Sequence, residues 1–173
     1  MGPPNQMGVA VDVAAELVEI AAIKELKARY CRLLDAKQWG PWRALFSDDF
    51  FSDTSQSGGR AIIGADAFVA FVRKNLGRPS RQTVHQVHAP EIEMTSSSTA
   101  LGIWALSDVV ALLPGITLTG YGHYHETYFK VGDQWQIAAS TLTRLREDLA
   151  IGPISIRVSP RWRDAAAWLS GIR

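Results

Sequence analysis

The chain has 173 residues, 47% hydrophobic and 20% charged, which is the composition of an ordinary globular protein. That length suits one domain burying roughly 70% of its unfolded surface. A net charge of +1 with no basic cluster excludes an electrostatic nucleic-acid binder, and no apolar run is long enough to span a bilayer.

The opening MGPPNQMGVA has neither the basic start nor the apolar core of a signal peptide. A cytoplasmic location and a flexible leader over residues 1–11 are therefore expected. A long helix is predicted from Asp12, whose side chain can cap it, to about Ala36. Ile20, Ile23, Leu26, Tyr30, Leu33 and Leu34 recur at spacings of three and four, making a stripe that must be buried. Asp35 stands in the last turn, where the helix dipole disfavours negative charge by a few tenths to ~1 kcal/mol. A carboxylate there needs solvation or a partner. The lone cysteine, Cys31, excludes an internal disulfide and a cysteine-built zinc site, and on a helix such a residue packs as a small hydrophobe.

A short helix with Pro41 in its first turn carries Trp42, Leu45 and Phe46 and stops at Ser47-Asp48-Asp49. Phe50 to Thr54 reads as a strand and Ser55 to Gly59 as a polar turn. A third helix is predicted from Ala65 to Leu76, with Phe68, Phe71, Val72 and Leu76 inward and Gly77 as its stop. Beyond Ser80 the period changes to two. Gln82 to Thr95 is a strand with a bulge at Pro90, which cannot donate a ladder hydrogen bond. Ser96 to Ser98 turns into a long strand, Thr99 to Leu113, on which Gly102, Trp104, Leu106 and Asp108 share one face. Ile116 to Val131 and Trp135 to Leu145 form a hairpin about the Gly132-Asp133 turn. Ile154 to Val158 suits a short strand and Arg161 to Leu169 a terminal helix. Helices first and hairpin-connected strands after argue an α+β fold, helices on one face of an antiparallel sheet. A strongly curved sheet around the first helix would leave a pocket at its open end.

All four histidines fall on predicted strands: His85, His88, His123 and His125. His85 and His88 face opposite sides of an unbroken strand, so one of them can enter a shared pocket. His123 and His125 share a face with Tyr121; Tyr124, Glu126 and Gly122 take the other. The HxxH and HxH spacings admit a metal site, and the second pairing is similar to half of a cupin site. Glu126, however, points away from it. The plainer reading of His123 and His125 is a polar stripe on the solvent side. A sharper possibility is acid–base chemistry, in which a buried carboxylate orients one imidazole and raises its basicity. Asp35 with His85 suits that role. Tyr30, roughly 140° from Asp35 around an ideal helix, would flank such a site, and Asp108 stands on the face of Trp104 and Leu106. Spacing alone leaves core packing for Tyr30, plain solvation for Asp35 and a strand-end position for Asp108 equally open.

The segments AIKELKARYCRLLDAKQW, TVHQVHAPEIEM, TALGIWALSD, GYGHYHETYFKVGDQWQI and TLTRLRED resemble, in order, the SnoaL-like branch of the NTF2-like superfamily. The likeness covers roughly residues 20–150. It is greatest to the bile-acid 7α-dehydratases, with scytalone dehydratase and hexachlorocyclohexane dehydrochlorinase as more distant relatives. What this resemblance implies is a cone of curved mixed sheet around the long first helix, over residues 12–150, with residues 151–173 as an extension packing on the domain or a neighbouring subunit. It places catalytic roles on Tyr30, Asp35, His85 and Asp108, and a substrate-binding role on Arg144. Trp39, Trp104, Phe46 and Tyr128 become candidate apolar walls. The implied activity is a metal-free, cofactor-independent dehydratase-type lyase acting on a hydrophobic ring substrate, free or as a CoA thioester. The implied assembly is a homodimer or homotrimer. An isomerase or cyclase with the same dyad, and a non-catalytic binding module, are the alternatives.

Overall fold

The computed structural model describes residues 6–159, with side chains from residue 13 onward. Helix α1 spans Gln6–Asp35, and Ile23, Leu26, Tyr30, Leu33 and Leu34 on its inner stripe are buried. It begins before the expected Asp12 cap, so residues 6–11 are helix and not leader. No proline follows Pro4 in this stretch, and single glycines such as Gly8 weaken a helix without stopping it. Helix α2 covers Trp39–Arg43, with Pro41 in its first turn.

Strand β1 runs Phe46–Asp53, so Ser47-Asp48-Asp49, expected to end a helix, belongs to a strand. Pairing of Phe46 with Ile137 on a neighbouring strand decides this against local propensity. A 3-10 turn at Ser55–Ser57 leads to β2 (Ala61–Ile63), a short edge strand outside the sequence-based expectation, and then to α3 (Ala65–Leu76) as expected. The long strands follow: β3 (Thr83–Met94), β4 (Thr99–Leu113), β5 (Ile116–Val131) and β6 (Gln134–Ile151). The bulge expected at Pro90 lies between His88 and Glu91, where Ala89 has φ 45°.

The sheet order is β2-β1-β6-β5-β4-β3, with β1 and β6 parallel and the other neighbours antiparallel. β6 is longer than expected. Its first half pairs with β1, and its last residues, Asp148–Ile151, pair with β7 (Ile154–Arg157). The boundary anticipated at residue 150 therefore falls inside a strand, and the start of the extension is part of the sheet. The terminal helix anticipated over 161–169 lies outside the described residues.

Alternation on β4 buries Ala100, Gly102, Trp104, Leu106, Asp108 and Val110, and on β5 it buries Gly120, Gly122, Tyr124, Glu126 and Tyr128. These residues form the concave face. α1 crosses it, touching β3 and β6, and an aromatic cluster of Tyr30, Trp42, Phe46, Phe50 and Phe68 fills the space between. Among the described residues no helix is long and apolar enough to cross a membrane.

Candidate active site

The site begins where α1 stops. The N–H of Gln38 donates to the Leu33 carbonyl at 2.9 Å and that of Lys37 to Leu34 at 3.1 Å, a Schellman closure that ends the helix. Asp35 is thereby held in the last turn, against the start of β3. Its two carboxylate oxygens are divided between donors. Oδ2 accepts the backbone N–H of His85 at 2.8 Å; Oδ1 accepts the Thr83 hydroxyl at 2.8 Å and lies 2.7 Å from His85 Nδ1. Burial pushes the Asp35 carboxyl up, but the His85 ring and backbone bonds and the Thr83 hydroxyl outweigh it and hold it below its ordinary value. An ionised Asp35 can only accept, so the neutral His85 ring donates from Nδ1 and keeps the lone pair on Nε2, on the far side of the ring.

His85 faces a cavity of 270 Å³ whose apolar walls include Trp42, Phe68, Phe71, Val110, Leu118 and Leu142. Tyr30, Tyr124, Asp108 and Arg144 stand among the polar groups that line it. Burial, with the Tyr124 and Glu126 groups as lesser causes, raises the Tyr30 phenol well above its ordinary value. It stays protonated at neutral pH, as a donor and not a base.

Sheet register explains how distant residues meet. His85 pairs with Asp108 across β3–β4, Asp108 with Gly120 across β4–β5, and Gly120 with Glu147 across β5–β6. One row over four strands thus carries the base and two acids. Arg144 reaches into it, with Nη1 2.5 Å from Asp108 Oδ2 and Nε 3.3 Å from Glu147 Oε1. A Cβ on Gly120 would lie 2.3 Å from Arg144 Nη1 and 2.7 Å from Asp108 Oδ1, so a side chain there would have to displace the Arg144–Asp108 pair. Asp108 Oδ1 is buried without a hydrogen-bond partner among the described residues. It is an acceptor awaiting a donor.

The structure thus brings Tyr30, His85, Asp108 and Arg144 around one space, with Asp35 held against His85 outside its lining. It does not bring the expected walls there. Phe46 begins β1 and is fully buried among Tyr30, Trp42, Phe50 and Phe68. Tyr128 is buried where its hydroxyl accepts the Trp104 indole N–H at 2.7 Å and donates to Glu126 at 2.5 Å. Trp104 lines a recess between α1 and β3 that His85 borders on its other side, and Trp39 packs edge-on to Trp42. Thr83, Tyr124 and Gly120 complete the site and were not anticipated. Thr83 was within reach of sequence reasoning, standing two residues before His85 on the same strand face. His88 and His125 are exposed and His123 is half-buried, with the two β5 rings side by side on the outer face. Burial pushes the Cys31 thiol up to about 11, so it is not a thiolate at neutral pH.

Because the folded Asp35 carboxyl lies below its ordinary value, its contribution to stability is present above that value, near pH 4. It is lost as pH falls through the folded value. Asp35→Asn will accordingly lose less stability than wild type between about pH 6 and pH 3. Urea unfolding at the two pH values reads this, and equal losses would contradict the hydrogen bonding of the ionised Asp35 carboxylate.

A Gibberella zeae protein bearing the name "Probable cyclase FGR4" is 28% identical over 137 residues, covering 72% of this chain and 90% of its own length. A Novosphingobium aromaticivorans protein provisionally named a scytalone dehydratase superposes with a TM-score of 0.71 at 23% identity, covering 82% of this chain and 97% of its own. The hexachlorocyclohexane dehydrochlorinase LinA-type3 of Novosphingobium barchaimii LL02 gives 0.66 at 17% identity, with 84% and 94% covered. The two superposed structures share the α+β fold. With the SnoaL-like domain pattern matching residues 15–141, the chain belongs to the SnoaL-like, NTF2-like family.

Proposed function

We propose that the protein is a dehydratase-type lyase acting on a hydrophobic ring substrate, with His85 as general base. The observation that carries this reading is the Asp35–His85 pair opening on an apolar-walled cavity, with the unpartnered oxygen of Asp108 inside the same space. His85 Nε2 takes the proton from a ring carbon beside a carbonyl, and the electron pair moves onto the carbonyl oxygen as an enolate. Tyr30, protonated, donates a hydrogen bond to that oxygen or to the leaving hydroxyl. The enolate then collapses, the neighbouring C–O bond breaks, and the hydroxyl leaves as water with the proton that His85 returns. Asp108 accepts a hydrogen bond from the substrate. Arg144, its charge met by Asp108 and Glu147, steadies the cavity wall rather than an anion. The balance needs no oxidant, reductant or cofactor.

A mass-spectrometric turnover screen tests this reading, using hydroxylated enone steroids, free and as CoA thioesters, beside hydroxylated aromatic ketones. Steroids head the panel because of the ARYCRLLD and TVHQVHAP resemblance. Loss of water from one class, absent with Asp35→Asn, is the expected result. Tight binding without conversion across the panel would favour a binding module instead. A cyclase or isomerase is the second reading, favoured by the name of the Gibberella zeae relative. It predicts a product of unchanged mass. Exposed Val84, Leu101, Val109, Tyr121 and Phe129 on the sheet support the expected homo-oligomer.

A further inference from the structure

The Schellman closure after α1 places Lys37 at the position where the chain turns left-handed, with φ 57°. Glycine is the usual residue there, because a side chain costs roughly 1 kcal/mol or more in that conformation. The chain keeps a lysine. Its side chain turns back toward the site, and Nζ lies 2.6 Å from the Thr83 hydroxyl oxygen. That oxygen is in turn 2.8 Å from Asp35 Oδ1.

The chemistry of these three groups orders the chain of bonds. An ammonium has no lone pair, so Lys37 donates and the Thr83 oxygen accepts. The Thr83 hydrogen is then directed at Asp35, which accepts it beside the His85 Nδ1–H. Thr83 is buried and Lys37 half-buried, so the contact is shielded from competing water. The remaining charged or titratable groups about the pair are Tyr30, Arg81, Asp108, Tyr124 and Arg144 on the cavity side, with Lys24, Cys31 and His88 on the recess side. Of the two arginines, Arg144 is paired with Asp108, and Arg81 donates to the Asn75 and Leu112 carbonyls. Lys37 is the cation joined to Asp35 through a hydrogen bond.

We infer that Lys37 is a positioning residue for Asp35, acting through the Thr83 hydroxyl to aim and polarise the carboxylate that orients His85. The inference rests on the reading of Asp35 and His85 as the acid–base pair. It assigns a purpose to the left-handed lysine: backbone strain is accepted at the helix end because the ammonium is needed at the site.

The test is carboxyl carbon-13 NMR of the full chain, labelled at aspartate and titrated from about pH 2 to pH 6. The Asp35 signal is identified by its loss in Asp35→Asn. Lys37→Gly is the main variant, since glycine suits this backbone and the fold is retained. Removing the cation and freeing the Thr83 hydroxyl should raise the Asp35 midpoint by about half a pH unit or more. Thr83→Val should raise it too, while Lys37→Arg and Thr83→Ser should stay near wild type. An unchanged Asp35 midpoint in Lys37→Gly overturns the inference. The readout does not depend on turnover. If Lys37→Gly moves Asp35 while Asp35→Asn leaves turnover intact, the lyase reading fails and the positioning of Asp35 by Lys37 stands.

Discussion

His85→Ala is expected to lower turnover by about 10²–10⁴-fold while the protein stays folded, and Asp35→Asn to lower it by a comparable order. The reason lies in the hydrogen-bond directions. Asp35 is held as an acceptor by the backbone N–H of His85 and the Thr83 hydroxyl, so the neutral ring keeps its proton on Nδ1 and its lone pair on Nε2. An asparagine at 35 can turn its NH₂ toward Nδ1. This would favour the other tautomer and place a hydrogen where a base is required. The cavity offers poor substitutes. Tyr30 is a phenol held protonated by burial, and Asp108 is tied to Arg144. Turnover by each variant on whichever substrate the screen returns, with far-UV circular dichroism as the fold control, decides the matter. Wild-type rates in either variant would end the His85 assignment.

Lys27→Met should destabilise the fold by about 3–5 kcal/mol, the cost of leaving a buried charge without its partner. Lys27 and Glu126 are both fully buried and lie 2.6 Å apart, so neither can recover its loss from water. Glu126 also accepts from Ser140 at 3.0 Å and Tyr128 at 2.5 Å, and the Trp104 indole donates to Tyr128 at 2.7 Å. The ammonium lies 4.1 Å from the Tyr30 ring centre and 3.7 Å from that of Tyr124, a cation against two aromatic faces. For a domain of this size the loss corresponds to roughly 6–20 °C in melting temperature. Lys27→Met with Glu126→Gln should recover much of it, because a neutral amide tolerates burial, its oxygen accepting the Tyr128 hydrogen and its NH₂ donating to the Ser140 hydroxyl. Chemical denaturation of the two variants measures both quantities. A single variant within about 1 kcal/mol of wild type would show the pair to be energetically idle.

The elements whose signals are local were legible in advance. The third helix, the two long central strands and the bulge at Pro90 all lie where periodicity and proline chemistry put them. So did the burial stripe of α1 from Ile23 onward, with Ile20 half-buried at its edge, since spacings of three and four have one meaning on a helix. Misreadings fell where local preference and long-range pairing disagree. Phe46-Ser47-Asp48-Asp49 has the composition of a helix stop, yet it is the start of β1 because parallel pairing with β6 captures it. The walls of the cavity were illegible for a similar reason. Trp104 and Tyr128 do face inward, as alternation requires, but inward on this sheet includes a polar cluster around Glu126 as well as the site.

By itself, the sequence determined that helices precede a largely antiparallel sheet and that Asp108 and Trp104 share a face. The expectation that only one of His85 and His88 enters a shared pocket did not hold, since both border the recess between α1 and β3. It also held the residues resembling a family set: Tyr30, Asp35, His85, Asp108 and Arg144. Only the tertiary structure decided that the row His85–Asp108–Gly120–Glu147 runs unbroken across four strands. Such a row depends on register, which turn lengths and bulges set over the whole sheet and which no single strand encodes. Only the tertiary structure, too, brought Lys37 back to Thr83 and Thr83 to Asp35. That contact joins a helix end to a strand start 46 residues later, and no periodicity reaches so far.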